Sequence, residues 1–143
     1  MKQGAAVEVG GRSLPMPAAT VRRIVAEVLR GERKRAIVSI TFVGTAVMRR
    51  MNREFKEHDW PTDVLTFPLP GPDGALVGDI YICGAVAARQ AAKLKISKRE
   101  ELARLVVHGV LHLLGYDHPE DARREKAAMW RRQERYVSRV IHR

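Results

Sequence analysis

Three of the chain's five histidines fall within eleven residues, in the segment HGVLHLLGYDH at 108–118. Leu102, Leu105, Val106, Gly109 and Leu113 form one stripe at helical spacing and predict a helix reaching about Leu114. His108 and His112 are four apart on that helix, so their rings project side by side from one face. On an unbroken helix His118 would sit ~9 Å beyond His112, at about 1.5 Å of rise per residue, and point elsewhere. Gly115 offers a way out, because glycine adopts the left-handed conformation that ends a helix at little cost. Pro119 then prevents simple continuation. Helix pair, glycine reversal and third histidine form one device that brings three imidazoles together. Such a set suits a zinc-type ion, one per chain, and leaves a fourth coordination position for water, as in catalytic rather than structural sites. The competing reading is a chance cluster of surface or core histidines; the spacing and the glycine break favour the metal.

The rest of the chain supplies a small core around this device. Pro17 opens a helix whose buried stripe is Val21, Ile24, Val25, Val28 and Leu29, with Gly31 as its stop. A short strand is expected over 5–9. A second is expected over 36–43, where Val38, Ile40 and Phe42 alternate with Ser39 and Thr41. Thr45 is placed to cap a short helix with Met48, Met51 and Phe55 inward. A loop follows over 56–62, then a strand over 63–67 stopped by Pro68. PLPGPDG at 68–74 reads as turn, 76–82 as strand and 85–94 as helix. Ser97 and Glu100 make a capping box for the histidine helix. Pro119, Glu120 and Asp121 open a last helix. That helix buries Met129, Val137, Val140 and Ile141 and turns Arg124, Arg131, Arg135 and Arg139 outward. The predicted class is α+β: a single domain over 1–143, a small mixed β-sheet covered by helices, and a metal site at a helix end and its following turn.

Charge narrows the partners. The formal net charge is +10 in 143 residues, a field that favours polyanions, meaning nucleic acid or an anionic membrane surface. The alternative is that the basic residues only solvate the surface. No apolar run reaches the ~18–20 residues of a membrane span, and residues 1–9 carry no secretion signal, so no membrane partner and a cytoplasmic location are expected. The lone cysteine, Cys83, fits a reducing compartment.

The histidine segment matches the ligands and glycine of the H-E-x-x-H-x-x-G-x-x-H metzincin pattern, but Gly109 stands where the protease keeps its glutamate base. That counts against peptide hydrolysis. The segment resembles instead the signature of the YbeY family of endoribonucleases, also called rRNA maturation factors. MNREFKEHDWPTDVLTFPLP at 51–70 and GDIYIC at 78–83 resemble two further blocks of that family, in the same order. The resemblance covers about 36–120. It implies a compact α+β fold, a Zn²⁺ site of His108, His112 and His118, and cleavage of single-stranded RNA. Its implied setting is 3′-end processing of the 16S rRNA precursor on the small ribosomal subunit, and ribosome quality control. It also implies an arginine at the position held here by Lys56, where a cation would grip the scissile phosphate; lysine keeps the charge but loses the two-pronged fork.

The remaining polar residues divide into roles. Lys56 is read as that catalytic cation or as a solvated loop lysine. Asp117 is read as a catalytic proton acceptor, as a partner of His118, or as a turn-forming aspartate. Packing is expected for Tyr116, a surface position for His58, turn or capping roles for Asp63 and Asp79, and a buried position for Cys83. The rival to a hydrolase is a non-catalytic assembly factor, stabilised by a structural zinc and binding pre-rRNA.

Overall fold

The computed structural model describes residues 5–116 and 123–142. The elements run β1 (Ala5–Gly11), α1 (Ala18–Glu32), β2 (Ala36–Val43), α2 (Thr45–Lys56), β3 (Val64–Pro70), β4 (Leu76–Cys83), α3 (Gly84–Leu94), α4 (Lys98–Leu113) and α5 (Arg123–Ile141). Four strands make one sheet in the order β1-β2-β4-β3. β1, β2 and β4 are parallel, and β3 pairs antiparallel with β4 at the edge. The expected α+β class and mixed sheet are what the chain forms.

Alternation along the strands sorts their side chains to two faces. Val38, Ile40, Ile80 and Ile82 face α1 and α4 and are fully buried with Ile24, Val28, Leu102 and Val106. The opposite face is smaller: Leu65 and Cys83 close with Met48 of α2 and Val86 of α3. Cys83 is thus the buried small apolar residue expected of it.

α4 lies close on the sheet because glycines permit it. A Cβ on Gly109 would meet Ile80 Cγ2 at 2.9 Å, and one on Gly78 would meet Leu113 Cδ2 at 2.9 Å. Gly109 therefore has a packing reason that outweighs its ~1 kcal/mol helix cost. Gly109→Ala is expected to cost about 1–3 kcal/mol through overpacking, less the ~1 kcal/mol that alanine returns to the helix. The measurement is the urea midpoint. A midpoint at or above the parental value would show that α4 shifts freely off Ile80.

Several boundaries differ from expectation. Pro68 does not stop β3 but lies inside it, paired opposite Gly78. An edge strand tolerates proline because one side of its backbone has no ladder partner; only 71–75, with its turn at Pro72–Gly74, is turn. α1 passes Gly31 and ends at Glu32, where Arg33 takes the left-handed conformation. Gly31 instead admits Tyr136 of α5, whose Cε1 would lie 2.6 Å from an added Cβ. Gly44, not Thr45, caps α2. α2 also includes Lys56 and hands the left-handed turn to Glu57. Phe55 is not inward but 60% exposed.

Glu32 joins α1, α5 and the end of α4. Its carboxylate accepts hydrogen bonds from the hydroxyls of Tyr116 and Tyr136, at 2.7 and 2.6 Å, and from Arg132 at 3.1 Å. Burial pushes this carboxyl upward, but the two hydroxyls and the guanidinium outweigh it and hold its pKa below the ordinary range. The group therefore stabilises the fold at neutral pH and loses that contribution as pH falls through its lowered folded-state value. Burial and the same carboxylate push the Tyr136 phenol up to about 12. Tyr116 has the packing role expected of it, half-buried against the core.

Candidate metal centre

α4 is fixed at both ends. Ser97 Oγ accepts from the backbone N–H of Glu100 at 3.0 Å, which starts the helix where the capping pattern placed it. At the other end, Gly115 N–H bonds His112 O at 3.0 Å and Tyr116 N–H bonds Leu111 O at 3.1 Å. Gly115 takes φ 106°. This double closure is a Schellman turn. The glycine break expected from sequence is therefore present, one turn beyond His112.

His108 and His112 stand side by side, with ring centroids 6.3 Å apart and planes inclined by 34°. His108 is held by α5: its Nδ1 lies 2.7 Å from Gln133 Oε1. The Gln133 amide nitrogen donates to Glu134 Oε2 at 3.0 Å, which turns the amide oxygen toward the imidazole. An amide oxygen only accepts, so Nδ1 is the donor in this contact. Metal-ligating histidines are oriented by such a bond on their other nitrogen. Glu134 is itself gripped by Arg104 through Nε and Nη2, both at 2.8 Å, and Arg104 also reaches Glu100 and Glu101. Arg104 holds the Glu134 carboxyl low, whereas burial pushes Glu101 upward. The chain of bonds from Arg104 to His108 thus ties α4 to α5 and orients one ring.

A cavity of about 200 Å³ opens beside His108, lined among others by Asp63, Val64, Trp130 and Gln133. Asp63 has the turn role expected: its Oδ1 accepts from Val64 N–H at 2.7 Å and its Oδ2 from Gln90 at 3.2 Å. Asp79 lies inside β4 rather than beside it. His58 is at the surface, stacked on Trp60.

Among the described residues, no three His, Cys, Asp or Glu side chains are grouped to hold a metal. The third expected ligand, His118, lies outside the described residues, as do Asp117 and the Pro119, Glu120 and Asp121 helix start. The two histidines that are described fit a metal by donor type, by spacing and by the orientation of His108. Lys56 ends α2, with its Nζ 5.7 Å over the ring of Phe67 on β3.

Gln133 was not among the residues singled out from sequence. Its signal was there, as a polar residue four from Met129 and four from Val137 on a buried stripe, and it is 3% exposed. Gln133→Leu is expected to weaken zinc binding about 10–100-fold, since it removes the group that orients His108. A chelator competition assay measures this. Unchanged affinity would mean that His108 orients itself.

The sequence pattern of the family described as Endoribonuclease YbeY matches residues 12–141. Endoribonuclease YbeY of Chlorobium luteolum is 38% identical over 122 residues, 83% of this chain and 85% of that one. The Micrococcus luteus protein of the same name is 42% identical over 118 residues, 77% of this chain and 74% of its own. The solution structure of TM1509 from Thermotoga maritima superposes with a TM-score of 0.69 at 30% identity, covering 94% of this chain and 89% of that chain. The resemblance read from three ordered motifs therefore holds across nearly the whole length, and the chain belongs to the YbeY endoribonuclease family.

Proposed function

We propose that the chain is a zinc-dependent endoribonuclease specific for single-stranded RNA, built as one hydrolase domain over 1–143. Its proposed setting is the cytoplasm, in 3′-end processing of the 16S rRNA precursor on the small ribosomal subunit and in ribosome quality control. The family supports RNA cleavage. The observation that supports the metal is the His108–His112 pair, with His108 Nδ1 on Gln133, an arrangement in which Nε2 would be the ligating nitrogen. His108, His112 and His118 would hold one zinc ion. When bound, such an ion supplies Lewis-acid chemistry, lowering the pKa of water and polarising a phosphoryl oxygen.

The chain's own residues do the rest. His108 and His112 are fixed on a helix that is packed on the sheet and capped at both ends. Lys56 supplies positive charge to phosphate oxygens as the strand crosses the β3 edge. Asp117, next to His118, takes a proton from the attacking water or from the RNA 2′-hydroxyl. A glutamate base of the metzincin kind at Gly109 would press its Cβ on Ile80 and force a shift there. That same fact favours a second reading, the non-catalytic zinc-stabilised assembly factor that binds pre-rRNA. Among the described residues no helix is long and apolar enough to cross a membrane.

The test is RNA cleavage by metal-loaded protein on single-stranded and duplex substrates of one sequence, with elemental analysis of the same sample. About one zinc ion per chain and cuts confined to the single strand are expected. Folded protein from zinc-replete medium that neither contains nor takes up the metal would overturn the proposal. Metal without cleavage would establish the assembly factor instead.

A further inference from the structure

Phe55, near the end of α2, and His58 and Trp60, in the loop after it, present aromatic surface to solvent. Trp60 is 55% exposed and His58 stacks on it, with centroids 4.6 Å apart and planes inclined by 26°. Phe55 meets Phe67 edge-on at 5.3 Å, and Phe67 meets Tyr81 edge-on at 5.9 Å. Exposed aromatics lose water-ordered surface only if something covers them, and these are held rigidly in the open. Asn52, 2% exposed, donates from Nδ2 to Trp60 O at 2.8 Å, while its own carbonyl accepts from His58 N–H at 3.2 Å. Arg49 grips both oxygens of Asp59, at 2.9 and 3.2 Å. A buried asparagine and a two-pronged ion pair thus preset a loop whose aromatic surface faces solvent.

Charge says what covers it. α2 carries Arg49, Arg50, Arg53 and Lys56 against one acid, Glu54, and Lys56 already stands over Phe67. Cations beside open aromatic faces match a single nucleic-acid strand, whose phosphates meet the former and whose bases stack on the latter. A duplex offers no unstacked bases to such a surface. β3 joins these rings to the proposed metal centre only through its backbone: Phe67 lies on one face of the strand, and Val64, on the other, lines the cavity beside His108. We propose that Phe55, His58 and Trp60 form a stacking platform for bases of single-stranded RNA flanking the cleaved step. The proposal rests on the ribonuclease reading above and names the surface that gives it single-strand selectivity.

The experiment follows Trp60 fluorescence in a Trp130→Phe background, where Trp60 is the sole tryptophan. Metal-loaded protein is mixed with decauridylate in a stopped-flow instrument and read before cleavage. RNA is expected to quench the emission. Trp60→Ala and Phe55→Ala should each weaken binding about five- to a hundred-fold. Trp60→Phe should restore most of it, and neither alanine variant should change the slope of log affinity against log salt. Arg50→Ala should lower that slope by about 0.7, one phosphate's worth for a single strand. An abasic strand of equal length should bind the parent and Trp60→Ala alike. A parent that cleaves RNA but binds abasic and uridine strands equally overturns the platform alone, whatever the folding of the variants. Alanine variants that bind RNA like the parent do the same. A parent that neither binds nor cuts RNA overturns the ribonuclease reading and the platform with it.

Discussion

His112→Ala is expected to abolish zinc retention and to lower RNA cleavage by more than ~10³-fold. Loss of a single preorganised electrostatic donor already costs ~10²–10³-fold in turnover, and loss of a ligand removes the whole Lewis acid. The change should leave the helices in place. His112 sits at the half-buried end of α4, while the packing of that helix comes from Leu102, Val106, Val110 and Leu111. Circular dichroism should therefore show most of the parental helicity, with metal analysis and single-turnover cleavage run on the same preparation. His118→Ala should behave the same way. Its effect should exceed that of Gln133→Leu, because one removes a ligand and the other only its neighbour's orientation. Wholesale unfolding of either histidine variant would show that the metal is structural, and would favour the assembly factor over the hydrolase. Parental cleavage by both variants would remove histidine ligation from the mechanism altogether.

Periodic elements were legible in the sequence, and single contacts across the fold were not. The stripe Val21, Ile24, Val25, Val28 and Leu29 lies buried as its spacing required, and so does the alternation Val38, Ile40, Phe42. Both patterns repeat, and burial of a repeated face is cooperative. Position in the sheet is not periodic. Pro68 reads as a strand stop until β3 is known to be the edge, where its missing N–H costs nothing. Phe55 reads as inward on α2, yet its ring stands outside against Phe67 because the small face is closed by Met48, Leu65, Cys83 and Val86. The candidate site divides the same way. His108, His112 and Gly115 announced themselves by spacing within one segment. Gln133, twenty-five residues from His108, joins only when α5 packs on α4. Gly109 showed that a glutamate base was missing; only the 2.9 Å approach to Ile80 shows what a side chain there would press on.

Lys56→Ala is expected to slow cleavage about 30- to 1000-fold, the ~2–4 kcal/mol typical for loss of a preorganised charge. Negative charge grows on the phosphate oxygens as water or the 2′-hydroxyl attacks. A fixed cation stabilises that developing charge more than it stabilises the bound strand. Turnover should therefore fall further than RNA affinity. The structure gives Lys56 a reason to be fixed: it ends α2 one residue before the left-handed turn at Glu57, and its Nζ lies 5.7 Å over the Phe67 ring. An exposed cation–π contact of this kind is worth only ~0.5–1 kcal/mol, so the alanine variant should remain folded and the loss should appear in the rate. Lys56→Arg should keep or raise activity, since a guanidinium holds a phosphate with two hydrogen bonds and stacks on an aromatic face as well. Single-turnover rates with saturating RNA separate the two effects. If Lys56→Ala cleaves at the parental rate, the lysine belongs to the solvated surface of α2. The phosphate cation must then be sought among Arg49, Arg50 and Arg53 on the same helix, of which Arg49 and Arg53 are already engaged by Asp59 at 2.9 and 3.6 Å. Arg50→Ala would be the next variant to measure.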